Sequence, residues 1–239
     1  EGFYTIGPCG EEMLGAAALP LRVSNNSSPT LSFEEDSVAL HYRHLAINIA
    51  RQLKSGRAIE DILLDRARGY VTSSLDPVSG GVHCVLGGAS KRDYVVTSTL
   101  ASQAPPAVGR ALGFSLAQTL LGEDYEYYNE MDASTNQEPL SFVTLGDGSV
   151  HNAHFLSALN LSLYARHHRN FRCPVVFGIS DNDLSISLRG HGHLNAFVDR
   201  LEKGGGIPVY RANGNDMFDV YDKTVQATQQ ARLRSAPAI

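Results

Sequence analysis

The sequence predicts an α/β protein of three layers (α/β/α), in which a mostly parallel sheet lies between helices. Two observations support this class. Short apolar runs alternate with segments of helical apolar spacing over most of the chain. The runs at 141–145 and 174–179 are mostly apolar, as expected of strands that are buried on both faces. With 239 residues the chain is long enough for one large domain with a substantial core.

The first half begins with helices and a long loop. Helical apolar spacing predicts three helices, at residues 8–19, 38–54 and 58–67. Residues 70–93 are rich in Gly and Ser, and a connection of this length is typical of a functional loop. A strand at 93–98 follows, and then a helix that begins near Pro105 and ends before Gly122.

The second half alternates strands and helices. Strands are predicted at 141–145, 174–179 and 207–211, and helices at 152–166, 193–203 and 216–234. In parallel sheets, ligands bind beyond the carboxyl ends of the strands. Since Ser98, Asp147 and Asn182 each follow a predicted strand, we expect these three residues to share one ligand-binding edge.

One turn carries the clearest chemical signal. Gly146-Asp147-Gly148 ends one apolar run, and Asn182 follows the next. A carboxylate and an amide oxygen on neighbouring strand ends suit Mg²⁺, which binds few protein oxygens and completes its octahedron with phosphates and water. Gly148 and Ser149, at the start of the next helix, can donate backbone N–H groups to phosphate oxygens. Gly-Asp-Gly alone is also an ordinary turn, so the interpretation depends on the second strand end.

Charge and composition exclude several classes of protein. The formal net charge of -5 and the lack of a basic run argue against nucleic acid as a partner. No apolar stretch is long enough for a membrane span, so no membrane partner is expected. Cys9, Cys84 and Cys173 lack zinc-binding spacing, and their odd number favours free thiols in a reducing, intracellular compartment. The chain opens on EGFYTIG without an initiator Met, so we interpret it as a fragment.

Several segments, in order along the chain, match the pattern of one family. They are FYTIGPCGEE, ALHYRHLA, DPVSGGVHCVLGG, VVTSTLASQAPPAVGRALG, LGDGSVHNAHFLSALNLS, PVVFGISDNDLSIS and ANGNDMFDVY. Together they resemble the alpha subunit, or alpha-like half, of the thiamine diphosphate-dependent decarboxylase component of 2-oxo acid dehydrogenase complexes. The branched-chain (2-oxoisovalerate) type is the most similar. The resemblance covers nearly the whole chain, and it implies the thiamine diphosphate-binding fold, with residues 1–239 as its diphosphate-binding domain.

The resemblance also implies a set of site residues. The metal ligands are the side chains of Asp147 and Asn182 and the carbonyl of Leu184, and His83 is the catalytic residue beside the reacting carbon. The residues that bind thiamine diphosphate are Tyr42, Arg43, Ser98, Leu100, Gly146, Asp147, Gly148, Ser149 and Asn182. The oxygens that match a monovalent cation site belong to Thr97, Thr99, Ser102 and Gln103.

The activity implied by the resemblance is oxidative decarboxylation of a (branched-chain) 2-oxo acid, with transfer of the acyl group to the lipoyl group of a partner acyltransferase. No Glu of this sequence matches the family's activating Glu. The chain is therefore expected to need a pyrimidine-binding beta subunit or a fused beta domain, as in the heterotetramers of the family. Such complexes are expected in the mitochondrial matrix of a eukaryote or the cytoplasm of a bacterium. A pyruvate or acetoin dehydrogenase of the same family is a close alternative.

Two departures from the family pattern keep a different class open. Asp181 stands where the family has the first Asn of an Asn-Asn pair, and His41 stands where it has a Gln. A degenerate assembly subunit that keeps the fold but binds no cofactor is therefore an alternative to an active enzyme.

Several polar residues also have simpler interpretations. Tyr42 and Arg43 are compatible with a pair on a helix surface, and His83 with an exposed loop. Glu11 and Glu12 are interpreted as capping residues of a first helical turn. Three pairs of histidines lack the Cys or carboxylate partners of a tetrahedral zinc site, namely His151 with His154, His167 with His168, and His191 with His193.

Overall fold

The computed structural model describes residues 10–24, 35–82, 85–87, 92–121, 138–168, 171–185 and 187–239. The helices of these residues are α1 (Leu45–Lys54), α2 (Ile59–Tyr70), α3 (Ala104–Leu121), α4 (Ala153–His167), α5 (His193–Gly205) and α6 (Met217–Arg234). The strands are β1 (Ser37–Ala39), β2 (Ser141–Gly146), β3 (Val175–Ser180), β4 (Leu184–Ser185) and β5 (Leu188–Arg189). Short 3-10 helices span Glu12–Ala18 and Asp147–Ser149. None of these helices is both long and apolar enough to span a membrane.

The central sheet is parallel, with the strand order β1-β2-β3. Val38 pairs with Phe142, and Phe142 pairs with Val176, so the carboxyl ends of the three strands lie at one edge. Single bridges extend the sheet on both sides, from Val38 to Asp93 and from Val176 to Ala238. Strands β4 and β5 form a separate antiparallel hairpin directly after β3.

Side chains of the sheet alternate between two apolar clusters, one on each face. Val143, Leu145 and Phe177 pack with residues of α3, α4 and α5. Phe142 and Val176 pack on the other face with residues of α1, α6 and the first 3-10 helix. Every residue of β2 is buried, which explains why its sequence shows no polar alternation. The predicted three-layer α/β class with a parallel sheet is therefore confirmed.

The predicted helices differ most from the structure around β1. The helix predicted at 38–54 is wrong over its first residues, because Ser37–Ala39 form a strand and α1 begins only at Leu45. Spacing alone cannot assign a short apolar run to helix or strand, and here the pairing with β2 decides. Of the helix predicted at 8–19, the described part is a 3-10 helix that begins at Glu12.

Two of the predicted strands, at 93–98 and 207–211, are not strands in the structure. The segment 93–98 makes only isolated bridges. The segment 207–211 runs beside the carboxyl terminus, where the N–H of Tyr210 donates a hydrogen bond to the carbonyl of Ile239. Both segments lie where strands were expected, but too few successive residues pair with a neighbour to make a ladder. The other predicted helices and strands are present, with ends shifted by a few residues.

Buried ion pairs hold two helices against the amino-terminal edge of the sheet. Arg232 of α6 donates hydrogen bonds of 2.9 and 2.5 Å to the two carboxylate oxygens of Asp36, which precedes β1. Arg51 of α1 pairs with Glu35 at 3.1 Å and with Asp93 at 2.7 Å. The charged residues of this edge are thus engaged in packing. A ligand site is therefore expected at the opposite, carboxyl edge.

Cys173 is a buried free thiol in the apolar cluster beneath α4. Burial raises the pKa of this thiol to about 12, so it is neutral and unreactive. Cys9 and Cys84 lie outside the described residues.

Candidate functional site

The end of β2 places a buried carboxylate at the carboxyl edge of the sheet. The strand runs into the 3-10 helix Asp147–Ser149, and the side chain of Asp147 is only 1 % exposed. Its Oδ1 accepts a hydrogen bond of 2.9 Å from the N–H of Gly148. Its Oδ2 is buried and has no hydrogen-bond partner among the described residues. Because buried polar atoms nearly always have partners, this unpaired oxygen points to a ligand.

A cation would be a suitable partner for this carboxylate. Burial raises the pKa of Asp147, and the nearby carboxylate of Asp181 raises it further. The backbone N–H groups of Gly148 and Leu184 lower it. A positive charge at Oδ2 would favour the ionised form. Within the described part of the chain, no three His, Cys, Asp or Glu side chains are grouped to hold a metal. A metal here would therefore take carbonyl, amide and ligand oxygens as well, a set that Mg²⁺ accepts.

The hairpin after β3 packs on the turn that carries Asp147. Leu184 begins this hairpin, and its neighbour Ser185 lies against Gly148. Asn182 is exposed, and its Oδ1 accepts a hydrogen bond of 3.0 Å from the N–H of Leu184. Since an amide oxygen has a second lone pair, Asn182 keeps one position for a ligand. The structure thus brings the Asp147 turn and the start of the hairpin together, with Asn182 at their exposed side.

Only glycine fits at position 148. A Cβ on Gly148 would lie 2.2 Å from Oγ of Ser185 and 2.9 Å from its Cβ, both well inside contact distance. Ser149, the next residue, is 1 % exposed. The second glycine of the Gly-Asp-Gly motif therefore permits the hairpin to pack against the turn.

The turn that precedes α1 is tied to the ends of β2 and β3. Oγ1 of Thr144 accepts a hydrogen bond of 2.7 Å from the backbone N–H of His41 and lies 2.6 Å from Nδ1 of His44. The other ring nitrogen of His44 lies 3.1 Å from Oγ of Ser180. These bonds fix the turn from 41 to 44, so that the two side chains between the histidines are held at the carboxyl edge.

Those two side chains are Tyr42 and Arg43. The guanidinium of Arg43 lies 3.1 Å from the position that a Cβ on Gly146 would occupy. The ring of Tyr42 lies against that of His41, with centroids 4.0 Å apart. Because both residues precede α1, the alternative of a pair on a helix surface is wrong. Arg43 instead reaches the first glycine of the Gly-Asp-Gly motif.

Glu11 is a residue of this edge that the sequence did not reveal. As interpreted from the sequence, Glu11 occupies the N-cap position of the first 3-10 helix and Glu12 lies in its first turn, but the side chain of Glu11 makes no cap hydrogen bond. Its Oε2 lies 4.0 Å from Nε of Arg43 and 3.4 Å from Nε2 of His44. Burial raises the pKa of Glu11, while the charge of Arg43 lowers it. The sequence signal that could have found it is its place in the FYTIGPCGEE segment.

The turn before α3 reaches the same edge through Gln103. Its side-chain NH₂ group donates a hydrogen bond of 2.8 Å to the carbonyl of Thr144. Ser98 and Leu100 lie on this turn, and both are exposed. The two residues are thus accessible to a ligand at the carboxyl edge.

The oxygens suggested for a monovalent cation lie on this turn as well. The hydroxyl of Ser102 donates a hydrogen bond of 2.9 Å to the carbonyl of Thr99. Oγ1 of Thr97 accepts a bond of 3.3 Å from the N–H of Thr99. Between them, Ala101 has a φ of +59°, a conformation that a side chain with a Cβ rarely adopts. The turn is tight and strained, and the cation stays a prediction.

His83, the predicted catalytic residue, lies outside the described residues, as does Cys84. Its assignment therefore stays a prediction.

The sequence matches the model of a known protein family over most of its length. The model described as "Dehydrogenase E1 component" matches residues 27–239. The chain belongs to the dehydrogenase E1 component family. The resemblance to alpha-type E1 components that the sequence segments indicated is thereby confirmed.

Relatives of this E1 chain include alpha subunits of two kinds. The 2-oxoisovalerate dehydrogenase subunit alpha of Bacillus subtilis is 27% identical over 213 residues, which are 87% of this chain and 54% of the relative. The mitochondrial protein of the same name from Mus musculus is 28% identical over 169 residues, 68% of this chain and 32% of the relative. The pyruvate dehydrogenase E1 component subunit alpha of Rickettsia bellii is 28% identical over 126 residues, which are 52% of this chain and 35% of the relative. The chain thus spans about half the length of the first relative, 54%.

Among solved structures, the transketolase of Campylobacter jejuni is similar to this E1 chain. The TM-score is 0.59 at 20% sequence identity, and the match covers 95% of this chain and 31% of the transketolase. At this identity the likeness bears on the fold alone. It confirms the predicted three-layer fold of the thiamine diphosphate-binding type.

Two buried imidazoles of the E1 chain predict how its stability depends on pH. Burial lowers the pKa of His41 from its ordinary value of 6.5 to about 3, and the charge of Arg43 lowers it too. Burial also lowers the pKa of His44 well below 6.5. Both rings are neutral in the folded protein and take up protons on unfolding. Their contribution to stability is therefore present above pH 6.5 and is lost as the pH falls below that value.

Urea unfolding at two pH values measures this effect for His41. A neutral buried histidine costs about 1.4 kcal/mol of unfolding free energy per pH unit below the unfolded pKa. Between about pH 7.5 and about pH 5.5, the His41→Gln variant should therefore lose about 1.4 kcal/mol less than the wild type. Acidic groups such as Asp93, whose pKa burial raises to about 6, are common to both proteins and cancel. Equal losses in the two proteins would contradict a neutral His41.

Proposed function

We propose that this chain binds the diphosphate end of thiamine diphosphate through Mg²⁺, as the alpha-type part of a 2-oxo acid dehydrogenase. The observation that carries the proposal is the buried, unpaired Oδ2 of Asp147 at the end of β2. A metal ion held between this oxygen and a diphosphate would satisfy the carboxylate and neutralise phosphate charge. Membership of the dehydrogenase E1 component family supports the same chemistry.

In this proposal the metal and the diphosphate are bound from three segments. Asp147 and Asn182 bind Mg²⁺ through side-chain oxygens, and Leu184 through its carbonyl. Support comes from the packing of the hairpin on the Asp147 turn. Arg43 and Tyr42 bind the diphosphate, Arg43 through charge-assisted hydrogen bonds.

Backbone groups complete the proposed cofactor site. Gly148 and Ser149 donate N–H groups to phosphate oxygens, and Gly146 leaves the space into which Arg43 reaches. Ser98 and Leu100 contact the aminopyrimidine. Both residues are exposed on the turn before α3, as this contact requires.

The proposed reaction is oxidative decarboxylation of a 2-oxo acid. When bound, thiamine diphosphate supplies the carbon that adds to the keto group and accepts the electron pair left by CO₂. The residues of this chain position the cofactor and neutralise its charge. His83 is proposed to lie beside the reacting carbon, and a monovalent cation to stabilise the turn of Thr97, Thr99, Ser102 and Gln103.

The proposed substrate is a branched-chain 2-oxo acid. Two relatives, from Bacillus subtilis and Mus musculus, carry the name 2-oxoisovalerate dehydrogenase. The pyruvate dehydrogenase relative from Rickettsia bellii favours pyruvate as the second candidate, over a shorter part of the chain. An acetoin dehydrogenase is a further alternative.

The proposed partners are a pyrimidine-binding beta subunit or beta domain and a lipoyl acyltransferase. The names of the relatives, which are alpha subunits, support a division of the enzyme between chains. Large apolar side chains are also exposed, Leu184 and Leu188 on the hairpin beside the site at 43% and 72%, and Leu75 on the Gly- and Ser-rich loop at 70%. The proposed location is the mitochondrial matrix or the bacterial cytoplasm; the mouse relative is named mitochondrial.

Thermal unfolding tests the cofactor proposal. A ligand at about 100 times its Kd adds about 2.7 kcal/mol to the stability of the folded state, or roughly 5–10 °C in Tm for a chain of this size. We expect this rise with thiamine diphosphate and Mg²⁺ together, and little with thiamine and Mg²⁺. No rise with the diphosphate would contradict the proposal and favour the degenerate assembly subunit.

Release of CO₂ tests the reaction and the need for a partner. We expect release from branched-chain 2-oxo acids only when the pyrimidine-binding partner is present, because half of the cofactor site lies there. A preference of the complex for pyruvate would assign the chain to the second candidate. Turnover by a demonstrably monomeric chain would contradict the shared site.

A further inference from the structure

We propose that His41 is a further binding residue of this site, which donates a hydrogen bond from Nε2 to a diphosphate oxygen. The inference rests on the proposed function, because the ligand is the diphosphate of the cofactor. Three properties of the ring support it: a fixed tautomer, a donor with no acceptor among the described residues, and a position beside Arg43.

The hydrogen bonds around His41 fix the tautomer of its ring. Nδ1 accepts a hydrogen bond of 3.3 Å from the backbone N–H of Arg43. In a neutral imidazole the nitrogen that accepts carries no proton, so the proton is on Nε2. Burial and the guanidinium of Arg43 both oppose a second proton on the ring. At neutral pH, His41 is therefore an uncharged Nε2–H donor.

This donor has no acceptor among the residues that the structure describes. His41 is only 2 % exposed, and its hydrogen bonds to the described residues are made by its backbone N–H and by Nδ1. The backbone bond to Thr144, at 2.7 Å, and the contact with the ring of Tyr42 keep the imidazole in place. The Nε2–H group is therefore available to a ligand oxygen.

The donor faces the same space as Arg43. A Cβ on Gly146 would lie 3.8 Å from Nε2 of His41 and 3.1 Å from Nη2 of Arg43. Because residue 146 is a glycine, no side chain of its own separates these two groups. Gly146 adjoins Asp147, the proposed metal ligand. A cationic donor and a neutral donor thus converge beside the metal position.

The two donors differ in what they contribute. Arg43 supplies charge to an anionic ligand. His41 supplies a hydrogen bond without placing a second positive charge close to a metal ion. Both contributions are compatible with a diphosphate whose charge is already reduced by Mg²⁺.

Calorimetry with two variants tests the role of His41. The protein is the full natural chain together with the proteins it assembles with, and the ligand is thiamine diphosphate in excess Mg²⁺. His41→Phe keeps a ring against Tyr42 but removes the donor, and we expect affinity to fall roughly tenfold to a hundredfold. His41→Gln restores an N–H donor and should stay within about threefold of the wild type. His167→Phe, at the exposed end of α4, is the control for a surface histidine.

Each outcome decides between the inference and its alternatives. Unchanged affinity in His41→Phe would overturn the role of His41 and leave the proposed function intact. Equal losses in both variants would assign His41 to packing. Absence of binding by the wild type would overturn the proposed function, and this inference with it.

A second measurement does not depend on the cofactor or on either variant. Nitrogen-15 shifts of the wild-type ring at neutral pH should report a protonated Nε2 and an unprotonated Nδ1 for His41. The opposite tautomer, or a doubly protonated ring, would overturn the inference even if the variants fail to fold.

Discussion

Replacing Asp147 by Asn should weaken the binding of thiamine diphosphate with Mg²⁺ by roughly 150- to 5000-fold. Asn keeps the size of the side chain and an oxygen for the N–H of Gly148, which now donates at 2.9 Å. The variant loses the buried negative charge that the metal would bind. Breaking a buried charge pair typically costs about 3–5 kcal/mol, which corresponds to the expected loss of affinity.

In the protein without cofactor, the same variant should have the opposite effect. Burial raises the pKa of Asp147, so its ionised form is unfavourable when no cation is bound. Removing the charge should then raise the free energy of unfolding. A residue that destabilises the free protein and is needed for the ligand is typical of a binding site.

Calorimetry and urea unfolding measure the two effects separately. Asp181→Asn is the matched control, because Asp181 is an exposed carboxylate near Asp147. Its affinity for the cofactor should stay within about threefold of the wild type. Near wild-type affinity in Asp147→Asn would exclude Asp147 as a metal ligand. A fall in the stability of the free variant would show that the carboxylate is structural.

How much of the fold the sequence predicts depends on how local each signal is. The runs of β2 and β3 are apolar because every residue of β2 and half of β3 are buried, and these strands were predicted within a residue. Strand β1 was taken for helix, because Ser37–Ala39 are too few to show a period. Their extended conformation is decided by pairing with Ser141–Val143, about 100 residues later in the chain.

The site divides in the same way. Asp147 and Gly148 were predicted because a turn at the end of a parallel strand is a local feature. The bond between His41 and Thr144 joins residues 103 positions apart, and no local pattern indicates it. The contacts of Glu11 with Arg43 and His44 were missed for the same reason, since they are made only in the folded protein.

Replacing Gly148 by Ala should lower cofactor affinity by about a hundredfold, although the new side chain is small. Gly148 does not have a left-handed backbone conformation, so alanine is not excluded by φ. The added Cβ would lie 2.2 Å from Oγ of Ser185, and the hairpin must move to accommodate it. Leu184 moves with the hairpin, and displacing a site group by about 1 Å can cost about a hundredfold.

A second substitution distinguishes this steric cause from a direct role of the glycine. Ser185→Gly removes the atoms at 2.2 and 2.9 Å and leaves the Cα of residue 185 at 3.8 Å, an ordinary contact. The Gly148→Ala, Ser185→Gly double variant should therefore recover most of the lost affinity, and Ser185→Gly alone should stay close to the wild type. In a double-mutant cycle, calorimetry would then give a large coupling between the two positions. If the losses of the single variants simply add, the hairpin does not position the metal site, and Gly148 is required for another reason.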